Sequence, residues 1–311
     1  MEKSCDPAQT RGKPAEKHLN VIMFVIIGIL VVFGAVIGGY LMEHGHLAVL
    51  MQPAELVIIG GAAMGTLLIS NPLPTVIKLF KGVLSTFGSS KFDQKYYLQG
   101  LQMLNEVFST ARKGGLVKLE ADIEAPDKSP LFGKYGTITK DHHILHFICD
   151  TLRMAVSGGV GHFELDQMME LDMETHHHEA AAPIAALSTV ADALPGLGIV
   201  AAVLGVVVTM GSLGGPPEEI GHKVAAALVG TFLGILLCYG LLGPMAANLT
   251  KRNDEEGQFY HFLRVGLVSF LRGNPPILAV EFARRAIPAS VRPSFQQMES
   301  ACKGGGAAAA A

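Results

Sequence analysis

Asn20 to Met42 reads NVIMFVIIGILVVFGAVIGGYLM, a run without one charged side chain. Crossing the hydrocarbon core of a bilayer as a helix takes about 20 apolar residues, so this stretch is expected to span a membrane. Basic residues precede it, as they would a secretory signal. Its apolar run is longer than the roughly 7–15 residues of a signal core, and no small-x-small cleavage site follows, so it reads as a retained anchor.

Three more stretches have the same character: Leu50 to Ser70, Leu194 to Leu213, and Val224 to Leu249. Half of the 311 residues are hydrophobic and only 16% are charged, against about a quarter in soluble domains; mean hydropathy is +0.38. The deficit is uneven, falling in these four stretches while the intervening segments look like ordinary polar helices. The expected fold is therefore all-α: a polytopic membrane protein with four transmembrane helices and a helical cytoplasmic domain.

Basic residues set the orientation. Residues 1–19 hold Lys3, Arg11, Lys13 and Lys17, eleven more lie from Lys78 to Arg153, and eight from Lys251 to Lys303. The turn Glu43 to His46 has none, and the loop before the fourth span has only Lys223 at its edge. The positive-inside rule then puts both termini and the long middle segment in the cytoplasm. The expected organisation is an N-terminal extension (1–19), spans one and two (20–72), a cytoplasmic helical domain (73–190), spans three and four (191–250), C-terminal helices (251–303) and a low-complexity tail (304–311).

Within the cytoplasmic segment Tyr97, Leu101, Leu104, Val107, Phe108 and Ala111 recur at helical spacing, with Gly114-Gly115 as a stop. Further helices are expected over Asp141 to Ser157, Phe163 to Ala182, Phe259 to Leu271, and Ile277 to Ala286. Cys5, Cys149, Cys238 and Cys302 are scattered and form no CxxC pair, which argues against structural disulfides. A net charge of −3 and the lack of a basic cluster with interleaved aromatics give no sign of nucleic-acid binding.

Ionisable groups in lipid are functional by default, and few are found. Glu55 follows Pro53 at the outer end of span two and Asp192 precedes span three; both read as helix-start carboxylates favoured by the helix dipole. No membrane carboxylate or lysine reads as able to relay ions alone. Gly230 and Gly234 form a GxxxG, and Gly28, Gly34, Gly38, Gly39, Gly60, Gly61 and Gly65 add small residues, permitting close helix contact within or between subunits. His142 and His146 are four apart on a helix, and His176, His177 and His178 lie between Glu174 and Glu179. Such pairs can clamp zinc, yet no third ligand follows at fixed spacing. Neither a metal nor an organic cofactor is expected, nor a catalytic site.

Five strings then carry a resemblance: QPAELVIIGG (Gln52 to Gly61), ARKGGLVKLEADIEAP (Ala111 to Pro126), PGLGIVAAVLGVV (Pro195 to Val207), VGTFLGILLCYG (Val229 to Gly240) and RPSFQQME (Arg292 to Glu299). In order and with the same four-span layout, they resemble the MotA family of flagellar motor stator subunits from about residue 22 to 300. The resemblance implies a bacterial inner-membrane protein that forms an ion channel with a MotB-like partner, the partner carrying the ion-binding aspartate. It also implies a ring of five such subunits around two partner helices, and torque delivered to the rotor protein FliG. By the same resemblance, Arg112 and Glu120 match the rotor-contact charges, with Lys113, Lys118 and Asp122 nearby. Pro195 and Pro244 match the prolines at the cytoplasmic ends of spans three and four, and Thr231 offers a hydroxyl to the path. On spacing alone two readings stand: Pro195 and Pro244 permit a bend in a spanning helix or are a simple helix start and stop, and the Thr231 hydroxyl serves the path or bonds to the preceding turn. Sodium-driven relatives carry threonines where this chain has Ala202 and Gly230, which favours the proton as the transported ion. Three alternatives stand beside this reading: an ExbB/TolQ-like energiser of an outer-membrane system, which has three spans; a membrane metalloenzyme using the histidines; and a passive scaffold.

Overall fold

The computed structural model describes residues 14–211 and 214–304. Among these residues every regular element is helical. Four helices are long and apolar enough to cross a membrane: Met23–Met42, Leu47–Ser70, His162–Met210 and Pro217–Leu271. The chain divides into two compact units, one of Met1–Ser89 with Ala181–Lys251 and the other of Ser90–Ala180 with Arg252–Ala311. The N-terminal extension before residue 14, Cys5 included, and the tail after residue 304 lie outside the described residues.

The membrane unit opens with α1 (Pro14–Met42), the short α2 (Leu47–Leu50), α3 (Pro53–Ser70) and α4 (Leu73–Ser85). Helix α1 is apolar all round, yet from Met23 to Met42 none of its side chains is buried within this chain. A helix of that kind faces lipid or another chain. Helix α3 is different. It buries Glu55, Ile59, Ala63 and Leu67, a single stripe at four-residue spacing. Ile59 and Ala63 pack with Ala191, Leu194, Ala201 and Cys238, while Leu67 joins Val76, Leu79, Ala186, Leu187, Met245 and Leu249.

The second unit holds α5 (Gln94–Gly114), α6 (Glu120–Glu124), α7 (Pro130–Gly133), α8 (Gly136–Thr139), α9 (His142–Ser157), α13 (Pro276–Ala286) and α14 (Phe295–Gly304). Three more helices complete the chain: α10 (His162–Met210) and α12 (Gly243–Leu271), each with residues in both units, and α11 (Pro217–Leu237) in the membrane unit. The ends of α5 follow from its residues. Asp93 caps it by accepting a hydrogen bond from the Tyr96 N–H at 2.8 Å. Gly115 ends it at φ +79°, a conformation that favours glycine. Every residue expected on its inner face, from Tyr97 to Ala111, is buried. Asp141 similarly caps α9 through the N–H groups of His143 and Ile144.

Aromatic side chains fill this second core. Phe108 stacks on Phe270 with ring centroids 4.4 Å apart, Tyr97 meets Phe262 edge-on at 5.4 Å, and Phe147 meets Tyr260 at 5.1 Å. Each such buried ring contributes about 1.5–3 kcal/mol relative to exposure.

The helix expected over Phe163 to Ala182, entering span three near Pro183, runs on through span three as α10, which contains both Pro183 and Pro195. Pro195 is therefore no helix start. Pro244 is no stop either: α11 passes through a π turn, Cys238–Leu242, into α12, and Pro244 is the second residue of that helix. The Gly243 N–H donates to the Cys238 carbonyl, a five-residue step. A proline lacks an N–H and its ring clashes with the carbonyl four residues back. A widened turn just before it absorbs that clash without breaking the helix.

Candidate functional site

In the membrane unit α10 meets α11 in close backbone contact at glycines. Gly198 packs so tightly that a Cβ there would lie 2.7 Å from the Gly230 carbonyl oxygen and 3.2 Å from the Thr231 Cα. A Cβ on Gly234 would lie 2.5 Å from the Leu194 carbonyl oxygen, and one on Gly205 would lie 2.7 Å from the Ala227 Cβ. Gly198, Ala201 and Gly205 thus interlock with Ala227, Gly230 and Gly234. The GxxxG serves a seam inside one subunit, where small residues let helices touch along their backbones. The glycines of α1 and α3 (Gly28, Gly34, Gly38, Gly39, Gly60, Gly61, Gly65) have no neighbour within 4 Å of where a Cβ would sit. Among the described residues, a side chain added at any of them would meet open space.

Three of the four residues singled out for the ion path gather along this seam. Pro195 sits one turn before Gly198, half-buried, and has no N–H to donate to the Ala191 carbonyl. Ala202 follows the buried Ala201 and is itself half-buried. Thr231, also half-buried, backs onto Gly198. Its hydroxyl departs from the expected bond to the preceding turn. Thr189, Thr209 and Thr250 donate to carbonyls four residues back at 2.8–3.1 Å; Thr231 has no such partner among the described residues. Pro244 lies apart from the seam, exposed, on the wall of a cavity of about 260 Å³ lined also by Phe24, Gly28, Val32 and Met245.

One residue was read too blandly from sequence. Glu55 does stand in the first turn of α3 behind Pro53, as a helix-start carboxylate would. It is nevertheless buried, and its Oε2 has no hydrogen-bond partner. The missing Cβ of Gly230 would fall on that oxygen, with the Ala201 Cβ 3.2 Å from the same point. The signal was available in the spacing of Glu55, Ile59, Ala63 and Leu67, which puts the carboxyl on the buried stripe.

In the second unit, Arg112 occupies the last turn of α5 and Glu120 the first turn of α6. Between them run Gly115 and the tight turn Leu116–Leu119, fastened by the buried Leu119 and Ile123. Arg112, Lys113, Lys118 and Glu120 are exposed, and neither Arg112 nor Glu120 has an ion-pair partner among the described residues. Asp122 is engaged, accepting from the Ser129 hydroxyl at 2.6 Å. His142 and His146 are exposed, and no group of three potential ligands suited to a metal occurs among the described residues.

This arrangement has known counterparts. Residues 26–115 match the family described as motility protein A N-terminal, and residues 139–261 match the MotA/TolQ/ExbB proton channel family. Motility protein A of Salmonella typhimurium is 42% identical over 277 residues, spanning 89% of this chain and 94% of that protein. The chain belongs to the motility protein A family. The chemotaxis protein LafT of Vibrio parahaemolyticus is 37% identical over 273 residues, covering 88% of this chain and 96% of its own length. In the flagellar MotAB stator complex from Bacillus subtilis, one chain is 25% identical with a TM-score of 0.67, covering 85% of this chain and 95% of that one. MotAB of C. jejuni shares the fold, with a TM-score of 0.71 at 18% identity. The four-span, strand-free architecture expected from hydropathy is thus the architecture of the motility protein A family.

Proposed function

We propose that this chain is the channel-lining subunit of a flagellar motor stator in the bacterial inner membrane, with both termini cytoplasmic. With a MotB-like partner it forms a proton path and converts ion-motive force into torque. The observation that carries this reading is the 42% identity to motility protein A over 89% of the chain. The α10–α11 seam gives it a physical basis. Two helices in backbone contact leave the Thr231 hydroxyl unbonded beside them, ready for water or an ion.

The partner supplies the aspartate that binds the ion, and five copies of this chain surround two partner helices. The proton is favoured over sodium because Ala202 and Gly230 stand where sodium-driven relatives carry threonines. A sodium ion sheds its water only where oxygen ligands replace it, and with Thr231 left as the remaining hydroxyl this chain offers fewer of them. Gly230 has a further reason to stay small, since Glu55 fills the space a side chain would need.

Arg112 and Glu120 meet the rotor protein FliG. Exposed charges suit a contact that forms and releases repeatedly, because each pair adds little and salt screens it. Pro195 and the π turn before Pro244 are points where α10 and the α11–α12 helix lack regular hydrogen bonds, so protonation can bend them at low cost. The ExbB/TolQ alternative expects three spans, and the four spanning helices favour the stator.

The test is restoration of swimming in cells lacking their own stator, with the chain co-expressed beside a MotB-like partner. Arg112→Glu and Glu120→Lys should each lower torque while membrane insertion and swimming-independent ion leak stay unchanged. Undiminished torque in both variants would remove the rotor assignment.

A further inference from the structure

Among the described residues, three buried polar atoms lack a hydrogen-bond partner: Glu55 Oε2, Tyr96 Oη and Tyr260 Oη. Only the first belongs to the membrane unit, and only it carries a carboxyl. Glu55 is 7% exposed. Its carboxyl is held between α3 and the α10–α11 seam, filling the space left by Gly230 and lying close to Ala201. The next residue on α11 is Thr231, whose hydroxyl is also unbonded. Among the described residues, Glu55 and Thr231 are thus two unengaged polar groups at neighbouring positions of the seam.

Among the described residues, no counter-charge pairs with this carboxyl from the helices packed around it. Helix α3 has no other ionisable residue. On α11 the charged and titratable groups are Glu218, Glu219, His222 and Lys223. Lys223 precedes Gly230 by seven residues, about 10 Å along the helix, and its ammonium donates to Glu219 at 2.9 Å. On α10 the nearest is Asp192, nine residues before Ala201 or about 13 Å along the axis. His46 precedes α2, which packs on α11. A lone carboxylate in so apolar a setting takes up either a proton or a cation.

We propose that Glu55 is a proton-binding site of the ion path on this chain, in addition to the aspartate carried by the partner. A proton arriving from water on the outer side binds the Glu55 carboxylate at Oε2, and the Thr231 hydroxyl offers the next hydrogen bond along the seam. Release of that proton toward the partner's aspartate restores the carboxylate, so charge and atoms balance in each cycle. Gly230 is the positioning residue that keeps the space open. This inference rests on the stator reading, and the experiment is arranged to separate the two.

The experiment uses the full chain with its MotB-like partner in lipid nanodiscs. Infrared difference spectra taken across a pH step read the carbonyl stretch of protonated carboxyls directly, and proton flux is measured on the same pairs in vesicles. With the partner's aspartate replaced by asparagine, a protonated-carboxyl band should remain, and adding Glu55→Gln should abolish it. With the partner intact, Glu55→Gln should lower proton flux severalfold while assembly is unaltered. Gly230→Ala should perturb the same band by crowding Oε2, and the double change Glu55→Ala with Gly230→Ala should restore normal assembly. A residual band indifferent to Glu55→Gln overturns the inference and leaves the stator reading standing. Absence of flux in the unaltered pair overturns the stator reading, and with it the role proposed for Glu55.

Discussion

The two compact units are held together by opposite kinds of side chain. The second unit packs large rings, with Phe108 on Phe270 and Tyr97 on Phe262, into a buried core. The membrane unit joins α10 to α11 through residues with almost no side chain at all: Gly198, Gly205, Gly230 and Gly234. Water drives the first arrangement, because each buried ring leaves an aqueous phase. Lipid offers no such gain, so the second depends on backbone-to-backbone contact and van der Waals fit. The same chain thus tolerates opposite substitutions in its two halves: loss of volume breaks one, and gain of volume breaks the other.

That contrast is best broken at Phe108. Phe108→Ala removes a fully buried ring and should cost about 3–5 kcal/mol. Amide hydrogen exchange should speed up across α5 and α12 while α3 and α11 are unaffected. Gly234→Ala reverses the pattern. Its added Cβ meets the Leu194 carbonyl oxygen at 2.5 Å, so the seam should lose about 1–3 kcal/mol. Flux and motility should fall with the second unit's exchange unchanged. Gly60→Ala is the matched control, since its Cβ meets nothing within 4 Å; this chain's own folding should be unaffected or improved by about 0.5–1 kcal/mol.

A smaller effect is expected from charge in the second unit. Arg284 hydrogen-bonds the Glu281 carboxyl and holds it down at about 2, with burial opposing and Arg285 assisting. A carboxyl lowered in the folded state lends stability above its unfolded value of about 4.3, and that stability is lost as pH falls toward 2. Thermal unfolding of the purified protein should therefore weaken between about pH 4.5 and 2. Glu281→Gln should flatten that window and cost ~2 kcal/mol at neutral pH.

Much of this architecture is legible in the residues themselves. Four apolar runs and the distribution of lysine and arginine specify the spans, and the 97–101–104–108–111 spacing specifies the buried face of α5. Helix continuity was harder to read. Pro183 and Pro195 look like boundaries, but the loss of one hydrogen bond does not end a helix supported by neighbours on several sides. Glu55 shows a second limit. Beside Pro53 its charge reads as a helix-start group, and only packing reveals that the stripe it shares with Ile59 faces Gly230. The free hydroxyl of Thr231 was equally hidden, since nothing in a sequence distinguishes it from Thr209, which bonds to its preceding turn.

If this chain is half of an ion motor that works only with a partner carrying the titratable aspartate, ion flux in vesicles holding it with a MotB-like partner, measured with and without sodium, will show it. The lumen should acidify only when both chains are present, equally with and without sodium, and no longer once the partner's aspartate becomes asparagine. Flux from this chain alone, or no flux from the intact pair, would contradict that reading.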